Sequence, residues 1–299
     1  MMPVEMLDDL KDHLDALDNF WTSENLWRRL HVAQQELTRV ITRESPTFFV
    51  QNTTLTLESD TALYDLPKNA RLGTRIIFAE DTTDDLSAEV VPTRLRNLMA
   101  ASSSSMLNLH SQYNFAFQGD QVRVVPVPAG ASTIRVWYAP TFGNMLQGSV
   151  TAATSTTLTI WSGAPNWTTN YGIPDVRDDV YSGMKILITE GTGAGQEREV
   201  TDWAGASTRR FTTAAWTVTP DTTSKFALMC PIMEDHHGVV TLLAAMHASV
   251  KGRTRMGELR QIYHGSPGMP GVLDEMLTWI QKRQDARGQT VEPTSVGDG

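Results

Sequence analysis

"MKILITEGTGAGQEREVTDW", residues 184–203, joins a short apolar run, three glycines spaced G-x-G-x-G, and a second run in which charged and apolar residues alternate. Two kinds of structure begin this way. A phosphate-binding loop uses glycines so that successive backbone N–H groups close on an anion, with the positive end of a helix behind them. A β-hairpin uses them to turn the chain tightly between paired strands. The residues after the glycines separate the two. "EREVTDW" opens on an acid, alternates at Arg198, Glu199 and Val200, and soon reaches Gly205, which is a strand pattern. No Lys-Ser or Lys-Thr pair closes the loop, and Gln196 stands where a dinucleotide fingerprint needs glycine. Gly191, Gly193 and Gly195 are therefore read as a structural turn, and no cofactor is expected on them.

Outward from this hairpin, residues 145–229 keep one texture, rich in Thr, Gly and Trp and poor in helix-forming stretches. "TSTTLTIWSG", "MKILITE", "EREVTDW", "RRFTTAAW" and "KFALMC" read as short strands joined by turns. The segment is expected to be an inserted β module with its ends close together. Trp161, Trp167, Trp203 and Trp216 are expected to form its core, although tryptophan also stacks on sugars and bases, and that use stays open at this point.

On both sides of the module the pattern changes. Leu7, Leu10, Leu14, Leu17 and Trp21 recur at spacings of three and four, which predicts an amphipathic helix between Met6 and Trp21. Thr22 and Ser23 cap a second helix, in which Leu26, Leu30, Ala33, Leu37 and Ile41 form the buried stripe until Ser45-Pro46 stops it. From Phe48 the period becomes two, through "ALYDLP", "RIIFAE" and "AEVVPT". A short helix at "TRLRNLMAA" and an exposed loop at Ser102 to Ser105 follow, then "NFAFQGDQVRVVPVP", turning about Gly119-Asp120, and "STIRVWYAP". After Pro231 the helical period returns, with Val239, Leu242, Leu243, Met246 and Val250 on one side. A shorter helix near Arg255 to Tyr263 leads into the breaker "HGSPGMPG", and a last helix from about Val272 buries Leu273, Met276, Leu277 and Ile280. The reading is an α+β protein. A helical bundle of N- and C-terminal helices (1–46 and 231–287) combines with a β-rich part (47–144) that carries the inserted all-β module. A flexible tail (288–299) closes the chain, with disorder expected from about Arg283 onward.

The chain has 299 residues, 40% of them hydrophobic, enough for a sizeable core. A formal net charge of −9 argues against a protein that coats nucleic acid by neutralising phosphates. The single cysteine, Cys230, excludes an internal disulfide and suits a reducing compartment. "MMPVEMLDDL" lacks the basic and apolar regions of a signal peptide, and "VVTLLAAM" is too short to span a bilayer, so no membrane is expected. His236, His237, His247 and His264 show no zinc spacing, "EDTTDDLSAE" and "PDVRDDVYSG" lack the pattern of a calcium loop, and no G-x-S-x-G elbow occurs. Catalytic, metal and cofactor residues are accordingly expected to be none. Charge is polarised: Glu5, Asp8, Asp9, Asp12, Asp15 and Asp18 stand against Lys11 alone near the start. Lys251, Arg253, Arg255, Arg260, Lys282, Arg283 and Arg287 stand against four acids in 251–287. Asp8, Asp12 and Asp15 on one flank and Arg253, Arg255 and Arg260 on the other are the candidate subunit interface.

The order of elements carries a resemblance. Tyr64-Asp-Leu-Pro67 precedes a core strand, "VVPVP" (Val124–Pro128) and "IRVWYAP" (Ile134–Pro140) follow, and the closing helices open at "DHHGVVTLLAAMHASVKGR". This resembles the head-to-tail adaptor (connector) proteins of tailed bacteriophages, particularly the short-tailed kind, and the insert resembles a β module that recurs in phage virion proteins. The resemblance implies a virion protein assembled in the host cytoplasm, and a ring of about twelve copies with heterologous contacts. It further implies a portal protein as partner on one side and a tail or nozzle protein on the other, with double-stranded DNA passing through without specific binding. By the same resemblance the carboxyl-terminal helix reaches the portal, through Trp279, Lys282, Arg283 and Arg287. Two other classes stay open here: a tail or decoration protein with a carbohydrate-binding β module, and a nucleotide-dependent enzyme using Gly191 to Gly195.

Overall fold

The computed structural model describes residues 1–14, 21–66, 69–70, 76–81, 88–89, 91–92, 114–118, 121–125, 127–252 and 256–288. The chain divides into two compact units, Met1–Glu5 with Phe49–Pro231, and Met6–Phe48 with Ile232–Gly299. The first holds most of the strands, the second most of the helical residues, and the class is mixed α+β.

In the β unit, two four-stranded sheets come first. One has the order β1 (Gln51–Leu57), β8 (Ser132–Tyr138), β3 (Ile76–Asp81), β4 (Ala88–Glu89); the other runs β2 (Leu63–Asp65), β7 (Gln121–Val125), β6 (Asn114–Gln118), β5 (Val91–Pro92). Alternation places Leu55 and Leu57 of β1, Ile134 and Val136 of β8, and Phe115, Val122 and Val124 of the second sheet in a shared core with Tyr64, while Ala116 and Val125 on the other face of the second sheet form a smaller buried cluster. "AEVVPT", expected as one strand, is two short ones, β4 pairing antiparallel with β3 and β5 parallel with β6. The chain changes sheets within it, which a period of two does not reveal. The helix expected at "TRLRNLMAA", the loop at Ser102 to Ser105 and the turn Gly119-Asp120 lie outside the described residues.

The strands β9 (Leu146–Ala153), β10 (Thr157–Ile160), β11 (Lys185–Glu190), β12 (Glu197–Ala204), β13 (Arg210–Thr213) and β14 (Lys225–Leu228) close into a barrel of order β10-β13-β12-β11-β14-β9. Closure leaves no edge strand. The inside is aromatic: the Trp203 ring lies 4.4 Å from that of Phe211 and 5.0 Å from that of Tyr181, and Phe226 bridges from Phe211 to Trp161. Trp161, Trp203 and Trp216 are all buried. Trp167 is half-exposed at a positive φ of 55°, edge-on to Tyr171.

In the helical unit, α1 (Pro3–His13) ends well before Trp21: the Leu14 N–H turns back to the Lys11 carbonyl at 3.1 Å. Its early stop corrects the longer helix expected, and 15–20 lie outside the described residues. The helix α2 (Ser23–Glu44) starts where Thr22 Oγ1 accepts from the Asn25 N–H, and Leu26, Leu30, Ala33, Leu37 and Ile41 are fully buried. A short 3-10 turn (Glu234–His236) leads into α3 (His237–Gly252). Here burial differs from expectation: not one face but every residue from Val239 to Met246 is buried, the alanines and Thr241 included. The helix packs against α2 and α4 (Met256–His264), and Thr241 donates to Asp9 of α1 at 2.5 Å. Small side chains on the faces away from the leucines let neighbours approach on all sides. "HGSPGMPG" is not only a breaker: β15 (Gly265–Ser266) and β16 (Met269–Pro270) pair as a hairpin before α5 (Val272–Gly288). That last helix buries Met276 and Ile280, leaves Leu273 and Leu277 half-buried, and continues through Gly288, past the expected onset of disorder at Arg283. Among the described residues no helix is long and apolar enough to cross a membrane.

Leu30 and Val32 give a test of this packing. Leu30→Ala is expected to cost about 2–5 kcal/mol, and Val32→Ala, at a site 45% exposed, less than about 0.5 kcal/mol, both read from urea unfolding followed by helical circular dichroism.

Candidate functional site

The glycine-rich loop joins β11 to β12, which pair as Lys185↔Glu199, Ile186↔Arg198 and Leu187↔Glu197. Gly191, Gly193 and Gly195 have φ of 79°, 82° and 85°. Three successive N–H groups that a phosphate would need point into the turn: Ala194 to the Gly191 carbonyl, Gly195 to Ile188 at 2.8 Å, and Gln196 to Gly193. The Gln196 amide then ties the loop to a second one, accepting from the Thr217 and Val218 N–H groups and donating to the Gly193 and Val218 carbonyls. Thr192 and Thr223 hydroxyls both donate to Asp221, and these bonds hold its carboxyl below the usual carboxylate range. The arrangement stiffens one rim of the barrel and presents no anion cradle.

Where the first sheet meets the barrel, three side chains form a relay. Gln51 Nε2 donates to the Ser182 carbonyl at 2.9 Å, Asn69 Nδ2 to Gln51 Oε1 at 3.0 Å, and the Tyr138 hydroxyl to Asn69 Oδ1 at 3.0 Å. Its direction is fixed from one end, because a backbone carbonyl only accepts and so orients each amide in turn. Burial pushes the Tyr138 hydroxyl up to about 12, against the opposing pull of the bond to Asn69. No spacing in the sequence signals this relay.

The expected assembly residues are spread over the helical unit. Asp8 and Asp12 are exposed on one side of α1, Asp8 paired to Lys11 at 2.7 Å, and Arg260 is exposed on α4. Asp15, Arg253 and Arg255 lie outside the described residues, as do the Arg287 side chain and the tail 289–299. On α5 the structure brings together two of the expected portal contacts: Arg283 lies 5.3 Å over the ring of Trp279, which is 41% exposed, and Lys282 is exposed beside them. His236 meets the same ring at 5.6 Å, a partner the sequence reading missed. Asp9 was also missed, since only the folded chain brings Thr241 to it.

Residues 4–184 match the family described as SU10 adaptor protein. The chain belongs to that family. It is thus a structural adaptor protein of a bacteriophage, and no curated protein matches it. The match covers both sheets of the adaptor and ends at Met184, between β10 and β11. Among the adaptor's described residues no group of three or more His, Cys, Asp or Glu side chains is placed to hold a metal ion.

Two outcomes follow from this geometry. In the adaptor Gly195→Ala is expected to cost about 1–2 kcal/mol for its left-handed backbone alone. Gly191→Ala should cost more, because a Cβ there strikes the Thr223 carbonyl; denaturant midpoints followed by tryptophan fluorescence compare them. For Tyr138 the raised folded value means that its contribution is complete below pH 10 and is lost as pH rises from 10 to about 12. Stability measured across that window should fall, and Tyr138→Phe should flatten part of the fall.

Proposed function

We propose that this adaptor is the head-to-tail connector of a short-tailed phage. About twelve copies form a ring beneath the portal, closed by heterologous contacts, and the ring is part of the conduit for the genome. The match to a family of phage adaptors over residues 4–184 carries this reading. In it the helices of 1–46 and 231–287 build the ring, α5 and the tail beyond it reach the portal, and the β parts, with 145–229 as an inserted module, meet the tail or nozzle. Trp279 with Arg283 and Lys282 is the portal-facing group: an exposed aromatic ring beside cations is the composition of an interface anchor. The net charge of −9 supports the conduit role, because an acidic wall repels the polyanion that must pass. Three of the four barrel tryptophans are buried, which leaves little for a carbohydrate platform and disfavours that alternative.

Mass and symmetry of the purified chain, alone and mixed with portal, test the assignment. A ring on the portal is the expected result; a stable trimer, or a monomer that never joins the portal, overturns it. If charge complementarity joins the subunits, Asp8→Lys, Asp12→Lys and Asp15→Lys together should hinder ring closure while the chain stays folded, and raised salt should weaken assembly of the unaltered protein.

A further inference from the structure

The barrel begins and ends side by side, at Leu146↔Leu228. A compact module whose ends meet in this way rocks on its connections unless something holds it. The chain enters the barrel from β8 through 139–145, and that connection is tied along its length, all within the β unit. Pro140 bridges to Ala70, and the Thr141 N–H donates to the Asn69 carbonyl. The Phe142 ring is buried in the barrel core and meets Phe49, just ahead of β1, edge-on at 5.3 Å. Three consecutive residues of the barrel then take up both the connection and the strand. The Val180 carbonyl accepts from the Gly143 N–H at 2.7 Å, the buried Tyr181 hydroxyl donates to Asn144 Oδ1 at 2.7 Å, and the Ser182 carbonyl accepts from Gln51 Nε2 at 2.9 Å. Next to them Gly183 has a φ of 82°, and a Cβ there would strike the Gln51 amide, so the β1 side chain and the barrel backbone touch with no space between them.

We propose that residues 180–182 lock the barrel to the sheet of β1 and β8, so that barrel and sheet turn as one rigid arm. To swing the barrel, the bonds to Gly143, Asn144 and Gln51 would have to break together. That would leave the Tyr181 hydroxyl without its acceptor and two carbonyls without their donors, each a loss that is costly where water does not replace the partner. The Phe49 and Phe142 rings would part as well. A partner that grips the barrel therefore moves β1 and β8 with it, whereas one that grips a tethered module only takes up slack. The inference does not depend on the ring reading, since the lock lies within a single chain.

The test measures distances between nitroxide labels on the full chain by pulsed electron resonance, in a Cys230→Ala background. One pair spans the joint, Thr56→Cys on β1 with Ala152→Cys on β9. The other lies across the barrel, Ala152→Cys with Asp202→Cys on β12, and all these sites are exposed. The joint pair is expected to give a single distance distribution no broader than that of the barrel pair. Gln51→Ala with Tyr181→Phe should broaden the joint distribution at least about twofold, as the module gains the freedom of a tether, and leave the barrel distribution unchanged. If those substitutions together unfold the chain, Gln51→Ala alone should broaden the joint distribution. The proposal is overturned by a joint distribution that is already broader than the barrel's in the chain with Gln51 and Tyr181 intact, or by one that stays as narrow in a folded variant. Broadening shared by the barrel pair also overturns it, because the change would then lie in the barrel itself.

Discussion

A helix buried on every side cannot stand until its neighbours are present, and α3 is such a helix. Its Val239–Met246 stretch has no face for water, so its stability is the burial supplied by α2 and α4, with Asp9 of α1 satisfying the Thr241 hydroxyl. The same hydroxyl also lies 3.0 Å from the Gly238 carbonyl of its own helix, so the bond to Asp9 ties α1 to α3 without being the only acceptor within reach. The helical unit is consequently one cooperative object built from two distant stretches of chain, Met6–Phe48 and Ile232 onward. His237 shows how tightly the entry to α3 is fixed: its buried Nε2 donates to the Ile232 carbonyl at 2.9 Å.

What was legible in the sequence is what local chemistry decides. Thr22 as a cap, the α2 stripe and the strand alternation of β1 and β8 are set by neighbours within a few residues, and they appear where the pattern places them. The hairpin after "MKILITE" was legible for the same reason, since an anion loop needs a helix that "EREVTDW" cannot make. The all-round burial of α3 was not, because alanine and threonine read as a polar face until the partners are known. Barrel closure was equally hidden: β9, "LQGSVTAA", carries a central Gly-Ser and was not singled out, yet its pairing with both β10 and β14 completes the ring of strands.

The candidate sites divide along the same line. Trp279 and Arg283 are four apart on one helix, so their contact follows from helical spacing. Gln51, Asn69, Tyr138 and Ser182 come from four separate stretches: strand pairing sets Gln51 beside Tyr138, and the packing of sheet against barrel brings Ser182 to Gln51. An edge strand is a property of the whole sheet in the same way. Nothing within "QNTTLTL" says that it is outermost among the described strands of its sheet; that follows from the order β1-β8-β3-β4.

The discontinuity of the helical unit has a consequence during synthesis. At about 5–20 residues per second the ribosome needs roughly 10–40 s to make the stretch between Phe48 and Ile232. For that interval the stripe of α2, with Leu26, Leu30, Leu37 and Ile41, waits without the helix that covers it. The β unit emerges whole in the meantime, so folding order inverts chain order: the segment made first is completed last. For those seconds the leucine stripe of α2 has only water, or a chaperone, to face.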